Sequence, residues 1–495
     1  MATEPVAVVG MAGIFPGAPD LATFWDNLVG GVDAVTDVPP DRVDPVFFEP
    51  RRTGPDRFYC RRGGFIDSTV PFEPSDFGIM PVAAAGTEPD QLLALSTAAR
   101  ALADAGYVEG VPDADRVGVV IGRGGYLTPA TARLEQRVRT AHQLVACVRE
   151  LVPDLADEQL DAIRDQFQEA LGPSHPEASI GLVPNLVASL VANRLDLHGP
   201  AYTLDAACAS SLLAVSQAVT ELAAGRSDLM LAGGVHHCHD VTLWSVFSQL
   251  KALSPSGVIR PFHKGADGIL IGEGTGIVVL KRLADARRDD DRVYAVIRGT
   301  GVSSDGRAAT LMSPASKGQV LAIERAWQAA ELDPATVGLI EAHGSATRAG
   351  DSVEIATLRH VFERDDAGVL PPAGLGSVKS NIGHAMPASG IAGLIKSALA
   401  LHHRVIPPTL HCDEPHPDLD PSRFEVVSAA RPWDDDGTPR RVGINAFGFG
   451  GINGHVILEG MPPGTSGGLP FAAGTGAGAA DADADGAEAD EAPAL

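Results

Sequence analysis

Three residues of this 495-residue chain have the types and settings to do chemistry together: Cys208, His343 and His384. Cys208 lies in Tyr202-Thr-Leu-Asp-Ala-Ala-Cys-Ala-Ser-Ser, where a short extended run meets small residues and then a strong helical pattern through Ala224. A cysteine at such a strand-to-helix turn sits at a helix N-terminus, where the dipole and free N–H groups favour the thiolate. Ala206, Ala207, Ala209 and Ser210 leave room beside it for a substrate. The sulfur is a candidate nucleophile, and a buried structural cysteine is the other outcome of the same pattern.

His343 stands in Leu339-Ile-Glu-Ala-His-Gly-Ser-Ala-Thr-Arg-Ala-Gly-Asp, at a strand end running into a small-residue turn. His384 stands in Gly376-Ser-Val-Lys-Ser-Asn-Ile-Gly-His-Ala-Met-Pro-Ala-Ser-Gly, in a turn that enters a helix over Ile391–Leu401. Each is flanked by glycine, as expected where something must approach the ring closely. A lone histidine of this kind is commonly a core or capping residue; two in similar turns, beside Cys208, form a constellation. A fourth segment, Asn445-Ala-Phe-Gly-Phe-Gly-Gly-Ile-Asn-Gly-His, precedes a strand. Its exposed N–H groups and bulky rings suit an oxyanion site and a substrate gate.

The elements that must position these residues alternate. Strands are expected at Val6–Gly10, Val117–Gly122, Leu229–Gly233, Ile277–Leu280, Val293–Thr300, Leu339–Ala342 and His455–Leu458. Amphipathic stretches such as Gln91–Ala105, Leu212–Ala224 and Gly318–Ala330 fall between them. That alternation argues for an α/β body with buried sheets covered by helices. Residues 128–172 carry two helical patterns split by Val152-Pro-Asp and read as a helical insertion in a first half, 1–290. A second half, 291–461, follows the charged turn ADARRDDD, and 462–495 reads as a disordered acidic Gly/Ala-rich tail or linker.

Composition narrows the class. The chain is 45% hydrophobic and 20% charged, enough to bury a large core and exclude wholesale disorder. A net charge of −25 makes it a poor ligand for a phosphate backbone, so nucleic acid is not an expected partner. Five scattered cysteines, an odd number, do not make a disulfide framework and fit reduced thiols. The N-terminal apolar run lacks a preceding basic region, and no stretch reaches about 18 consecutive apolar residues, so neither a signal peptide nor a membrane span is expected. These features predict a soluble cytoplasmic protein.

Three signals are set aside. His236-His-Cys-His-Asp240 resembles a metal cluster, but neighbours on a strand point to opposite faces, so at most two share a side. No metal site is expected there. Gly10–Gly17 and Gly272–Gly276 lack the phosphate-loop spacings and read as structural turns.

Taken together, the four segments resemble the β-ketoacyl synthase family, the condensing enzymes of fatty acid and polyketide synthesis. The likeness runs from about Pro5 to Glu459 and points to the ketosynthase domains of megasynthases, the polyunsaturated fatty acid and related polyketide branch in particular. It also takes in Gly10-Met-Ala-Gly-Ile-Phe-Pro-Gly, Glu88-Pro-Asp-Gln, Arg260-Pro-Phe, Gly272-Glu-Gly and Ser304-Asp-Gly. The resemblance implies a thiolase fold: two similar α/β halves in a layered αβαβα body, normally a homodimer. It implies that Cys208 carries the acyl chain as a thioester. His343 and His384 would hydrogen-bond the malonyl thioester oxygen and assist loss of the carboxylate. Lys379, Asn381 and Glu354 would support that network. The N–H groups of Cys208 and Phe449 would form an oxyanion hole, with the Phe449 ring as a gate. No cofactor is implied on the chain itself; substrates would arrive on the phosphopantetheine of an acyl carrier protein. Arg133–Arg139 reads as the solvated face of the inserted helices, or as a landing site for that acidic carrier.

The chain departs from the family pattern at Ser345, Arg348, Ser352, His263, Asn445, Ile452 and Gly454. None of these removes a nucleophile or a ring nitrogen, so they bear on substrate shape rather than on the reaction. The alternatives are a non-elongating enzyme that only transfers or decarboxylates, and a non-catalytic partner that shapes chain length. Whether the chain acts alone or within a megasynthase is open in the sequence.

Overall fold

The computed structural model describes residues 4–461, apart from 41, 50–53, 67–69, 71, 175, 178–180, 182, 238–240, 308–309, 312, 364–369 and 434–436. The expected tail, 462–495, lies outside the described residues.

Eleven strands form one sheet. In chain order they are β1 (Val6–Ile14), β2 (Val117–Arg123), β3 (Ala201–Leu204), β4 (Leu229–His236), β5 (Gly274–Arg282) and β6 (Ala295–Ser304). They continue with β7 (Leu339–Glu341), β8 (Ala373–Gly376), β9 (Phe424–Val426), β10 (Arg441–Gly448) and β11 (Ile452–Glu459). Across the sheet the order is β9-β8-β7-β10-β11-β6-β1-β5-β4-β2-β3. Read outward from the centre, β1-β5-β4-β2-β3 on one side mirrors β6-β11-β10-β7-β8 on the other. The same winding is thus used twice, and the halves join where β1 runs antiparallel to β6, with Val6 opposite Ile297 and Val8 opposite Ala295.

Five helices complete the layers: α1 (Pro89–Asp104), α2 (Ser210–Ala223), α3 (Ser316–Ala330), α4 (Arg348–Phe362) and α5 (Ser389–His403). Helix α1 packs on β1 and β5; α3 packs on β6 and β11 and carries α4. Between them α2 and α5 touch each other and strands of both halves. Successive residues of β1 serve two cores, because side chains alternate across a strand. Val6 and Val8 join the core around α2 and α5, whereas Ala7 and Val9 join the one under α1. Every residue of α5 from Ser389 to Leu401 is buried, which explains a sequence that, Lys396 apart, is apolar or small on all sides. This is the expected layered α/β body. The helical insertion also forms, with helices at Pro129–Glu135, Ala141–Leu151 and Asp157–Ala170 between β2 and β3.

Several strands differ from expectation: β1 runs on past Gly10 to Ile14, and β8, β9 and β10 are not among the expected strands. The Gly/Phe alternation of Asn445–Gly448 reads as a turn. In the structure these residues end β10, and the turn is confined to 449–451 before β11. A strand buried on both faces shows no polar alternation to betray it. Among the described residues no helix is long and apolar enough to cross a membrane.

Candidate active site

The segment after β3 makes a tight elbow. Ala207 takes a left-handed backbone, φ +50°, held by two side chains. Asp205 accepts the Ala207 N–H and the Gly125 N–H, both at 2.8 Å. Ser210 accepts the Ala206 N–H at 2.8 Å and donates to the Ala207 carbonyl at 2.6 Å. Cys208 follows, 5% exposed, immediately before α2.

The turn between β10 and β11 closes over this elbow. A Cβ on Gly448 would lie 2.6 Å from the Ala206 carbonyl oxygen, so only glycine permits the approach. Beyond it, the Phe449 ring stacks on Phe247 at 5.9 Å and is 42% exposed, and the N–H groups of Phe449 and Cys208 reach the sulfur. Burial nevertheless pushes the Cys208 thiol up to about 11, against the opposing pull of Lys379 and these N–H groups. The helix terminus alone led us to expect a thiolate; desolvation wins, and the resting sulfur is a thiol.

His343 lies two residues past the end of β7. The Phe447 N–H donates to its Nδ1 at 3.3 Å. Its own N–H and that of Gly344 donate to Glu354 at 2.8 and 2.7 Å, and the Asn445 side chain donates to the same carboxylate at 2.9 Å. Lys379 donates to the His343 carbonyl. His384 is held in the same manner. The Met386 N–H donates to Nδ1 at 3.1 Å, and the Ser389 hydroxyl lies 2.7 Å from that nitrogen. With Nδ1 accepting in both rings, each neutral imidazole carries its proton on Nε2. Burial, aided by Lys379, holds both rings well below the ordinary histidine range, so they are neutral at pH 7. The rings stand edge to face with centroids 5.6 Å apart.

Cys208, His343, His384 and Phe449 line one cavity of about 340 Å³, its walls largely apolar through Phe247, Ile269, Leu311 and Phe447. Lys379 and Glu354 stand behind His343, off the cavity wall. Burial lowers the Lys379 ammonium and raises the Glu354 carboxyl, each opposing the other's shift by its charge. Asn381 is not brought to the cavity: its amide donates to the Val32 carbonyl at 3.1 Å and ties down a loop of the first half.

Sequence reasoning missed four contributors. The backbone N–H groups of Met386 and Phe447 set the ring tautomers, and the Ser389 hydroxyl adds a second contact to His384. Asp351, one turn before Glu354 on α4, accepts the N–H groups of Phe262 and Ala346 at 2.7 and 3.0 Å. Burial raises its carboxyl to about 8. An acidic pair at i and i+3 on one helix face was the available signal.

Of the set-aside histidine run, His236 is buried against Tyr126, with ring centroids 5.4 Å apart, and desolvation lowers it to about 3. Cys238, His239 and Asp240 lie outside the described residues. Among the described residues no three His, Cys, Asp or Glu side chains are grouped to hold a metal. In the insertion, Arg137 donates to the Gln168 carbonyl at 3.0 Å and Arg139 lies 3.6 Å from Glu135.

Comparison with known proteins places the chain in a family. Family models for the N-terminal domain, the C-terminal domain and the C-terminal extension of β-ketoacyl synthases match residues 3–286, 294–413 and 414–467. The chain belongs to the β-ketoacyl synthase family, acyl-transferring condensing enzymes of polyketide and fatty acid synthesis. It is 34% identical, over 92% of its length, to a polyunsaturated fatty acid synthase chain of Thraustochytrium sp., and 37% over 94% to polyketide synthase PksN of Bacillus subtilis. It spans only 16% and 8% of those proteins. Among solved structures, the oxazolomycin ketosynthase domain OzmH KS7 of Streptomyces albus matches 93% of this chain and 74% of its own, with TM-score 0.78 at 33% identity. The PfaC keto synthase-chain length factor matches 95% of this chain and 49% of its own, with TM-score 0.81 at 33% identity. The layered fold is the thiolase fold of these ketosynthases.

Proposed function

We propose that the chain catalyses decarboxylative Claisen condensation, joining an acyl group on Cys208 to a malonyl unit on an acyl carrier protein. One observation carries this reading: both Nδ1 atoms are occupied by backbone N–H donors, leaving two neutral Nε2–H donors in the cavity of Cys208.

In the first half-reaction Cys208 Sγ attacks the incoming thioester carbonyl, the carrier's sulfur leaves as a thiol, and the acyl group remains on Cys208. The cysteine proton passes to the leaving sulfur. In the second, the bond between the malonyl methylene and its carboxylate breaks, releasing CO2, and its electron pair forms an enolate. Nε2–H of His343 and of His384 hydrogen-bond that enolate oxygen. Preorganised donors of this kind contribute on the order of 3–4 kcal/mol each. The enolate carbon then attacks the Cys208 thioester. The tetrahedral oxyanion takes hydrogen bonds from the N–H groups of Cys208 and Phe449 before collapse frees the sulfur as a thiolate, which takes one proton from solvent as the product leaves. Seating both thioesters in one apolar cavity supplies proximity and excludes water. Lys379 and Glu354 act by positioning His343.

The same reading takes the chain as one domain of a larger synthase, with halves dividing near Asp291, acting as a homodimer on phosphopantetheine-borne substrates. The test is mass spectrometry of the intact protein with acyl thioesters beside CO2 release from malonyl carrier. His384→Ala should keep acylation of Cys208 and lose decarboxylation, and Cys208→Ala should lose acylation. A native chain that acylates but releases no CO2 and elongates nothing would replace this reading with the transfer-only alternative.

A further inference from the structure

The structure assigns a positioning role to a buried ion pair outside the reacting groups, Glu341 with Lys396; the inference rests on the reading above. Their charged atoms are 2.8 Å apart, and both side chains are 3% exposed. The other Glu341 oxygen accepts the Val378 N–H at 2.6 Å.

This carboxylate joins the segments that carry both histidines. Glu341 ends β7, two residues before His343. Val378 precedes Lys379, whose ammonium returns to the His343 carbonyl, so chain and hydrogen bonds close a ring through Glu341, Val378, Lys379 and His343. Lys396 lies on α5, two turns beyond Ser389, whose hydroxyl meets Nδ1 of His384. The positions of both rings are therefore referred to one charged group.

Space for the pair is reserved on one side: a Cβ on Gly393 would fall 2.9 Å from Glu341 Cγ. A buried ion pair brings little net stability against apolar residues of similar volume, because desolvation consumes most of the attraction. Its value lies in distance: the two charges are 2.8 Å apart without the alignment of a hydrogen bond, and this short contact, not deformable apolar packing, sets the separation of β7 from α5. Two donors aimed at one enolate oxygen need that separation held within about 0.5 Å.

The double variant Glu341→Gln/Lys396→Met tests this, since it removes both charges together and leaves neither buried alone. The expected result is a folded protein that acylates Cys208 at the parental rate, with kcat for malonyl decarboxylation lowered tenfold or more and KM little changed. Long-range 1H–15N spectra of the histidine side chains, read without substrate, should show shifted His343 or His384 nitrogens and an unmoved, exposed His198. Decarboxylation within twofold of the parent, or equal loss of both half-reactions, overturns the assignment, as do unshifted ring spectra. A parental chain without decarboxylation overturns the functional reading instead, and the ring spectra then still decide whether the pair positions the histidines. Should the double variant not fold, the pair is a requirement of the fold, and the positioning role is overturned.

Discussion

Nδ1 of His384 lies 2.7 Å from the hydroxyl of Ser389, so the residue that opens helix α5 also orients the ring. The backbone N–H of Met386, at 3.1 Å, can only donate and so fixes Nδ1 as the acceptor. Ser389→Ala should therefore weaken the Nε2–H orientation without abolishing it. Losing one neutral hydrogen bond costs about 1 kcal/mol, a roughly fivefold fall in decarboxylation. Acylation of Cys208 should stay unchanged; a loss as deep as that of His384→Ala would mean that the hydroxyl does more than orient the ring.

The acid limb of decarboxylation should lie low. Burial and the Lys379 charge depress both His343 and His384 well below 6.5, so protonation, which would destroy the acceptor at Nδ1, begins only far under neutrality. With carrier-bound malonyl in excess, kcat should vary less than twofold between pH 6.5 and 8. An inflection near 6.5 would show rings exposed to water.

Thiol chemistry at Cys208 should behave in the opposite sense. Its pKa is raised to about 11, so the reactive thiolate grows with alkalinity throughout the usable range. Iodoacetamide labelling, followed on the peptide that contains Cys208 because Cys147 is exposed, should quicken about tenfold per pH unit from 7 to 9. A plateau below pH 9 contradicts the assignment of a resting thiol. Lys379→Met should slow labelling further, since its charge pulls the thiol downward.

Gly448→Ala places a methyl group 2.6 Å from the Ala206 carbonyl and 3.2 Å from Ala207 Cβ. Both neighbours belong to the elbow, whose backbone is tied by Asp205 and Ser210 and cannot yield cheaply. Overpacking of this kind costs about 1–3 kcal/mol. The β10–β11 turn should lift, taking the Phe449 N–H away from Cys208 and slowing acylation at least tenfold. A variant that acylates at the parental rate would show that the Phe449 amide is dispensable.

The residues that meet in the cavity were legible because each sits in a contiguous motif: small residues, then Cys208 and a helix; glycine beside His343 and His384. Local backbone preference dictates those turns, and the alternation of apolar runs with helical patterns dictates the α/β body. Asn381 shows where that reading stops. It belongs to the motif of Lys379 and His384, yet its side chain leaves the site for the Val32 carbonyl, because a one-turn helix at Lys379–Ile382 points neighbouring side chains in different directions. Burial was likewise beyond the linear pattern. The helix terminus at Cys208 spoke for a thiolate, whereas desolvation by residues from both halves makes a thiol. The type of chemistry is thus inherent in residue identities and local turns. Protonation state, ring tautomer and the spacing of His343 from His384 are sums over neighbours far apart in the chain, and only the packing of β7, β10 and α5 decides them.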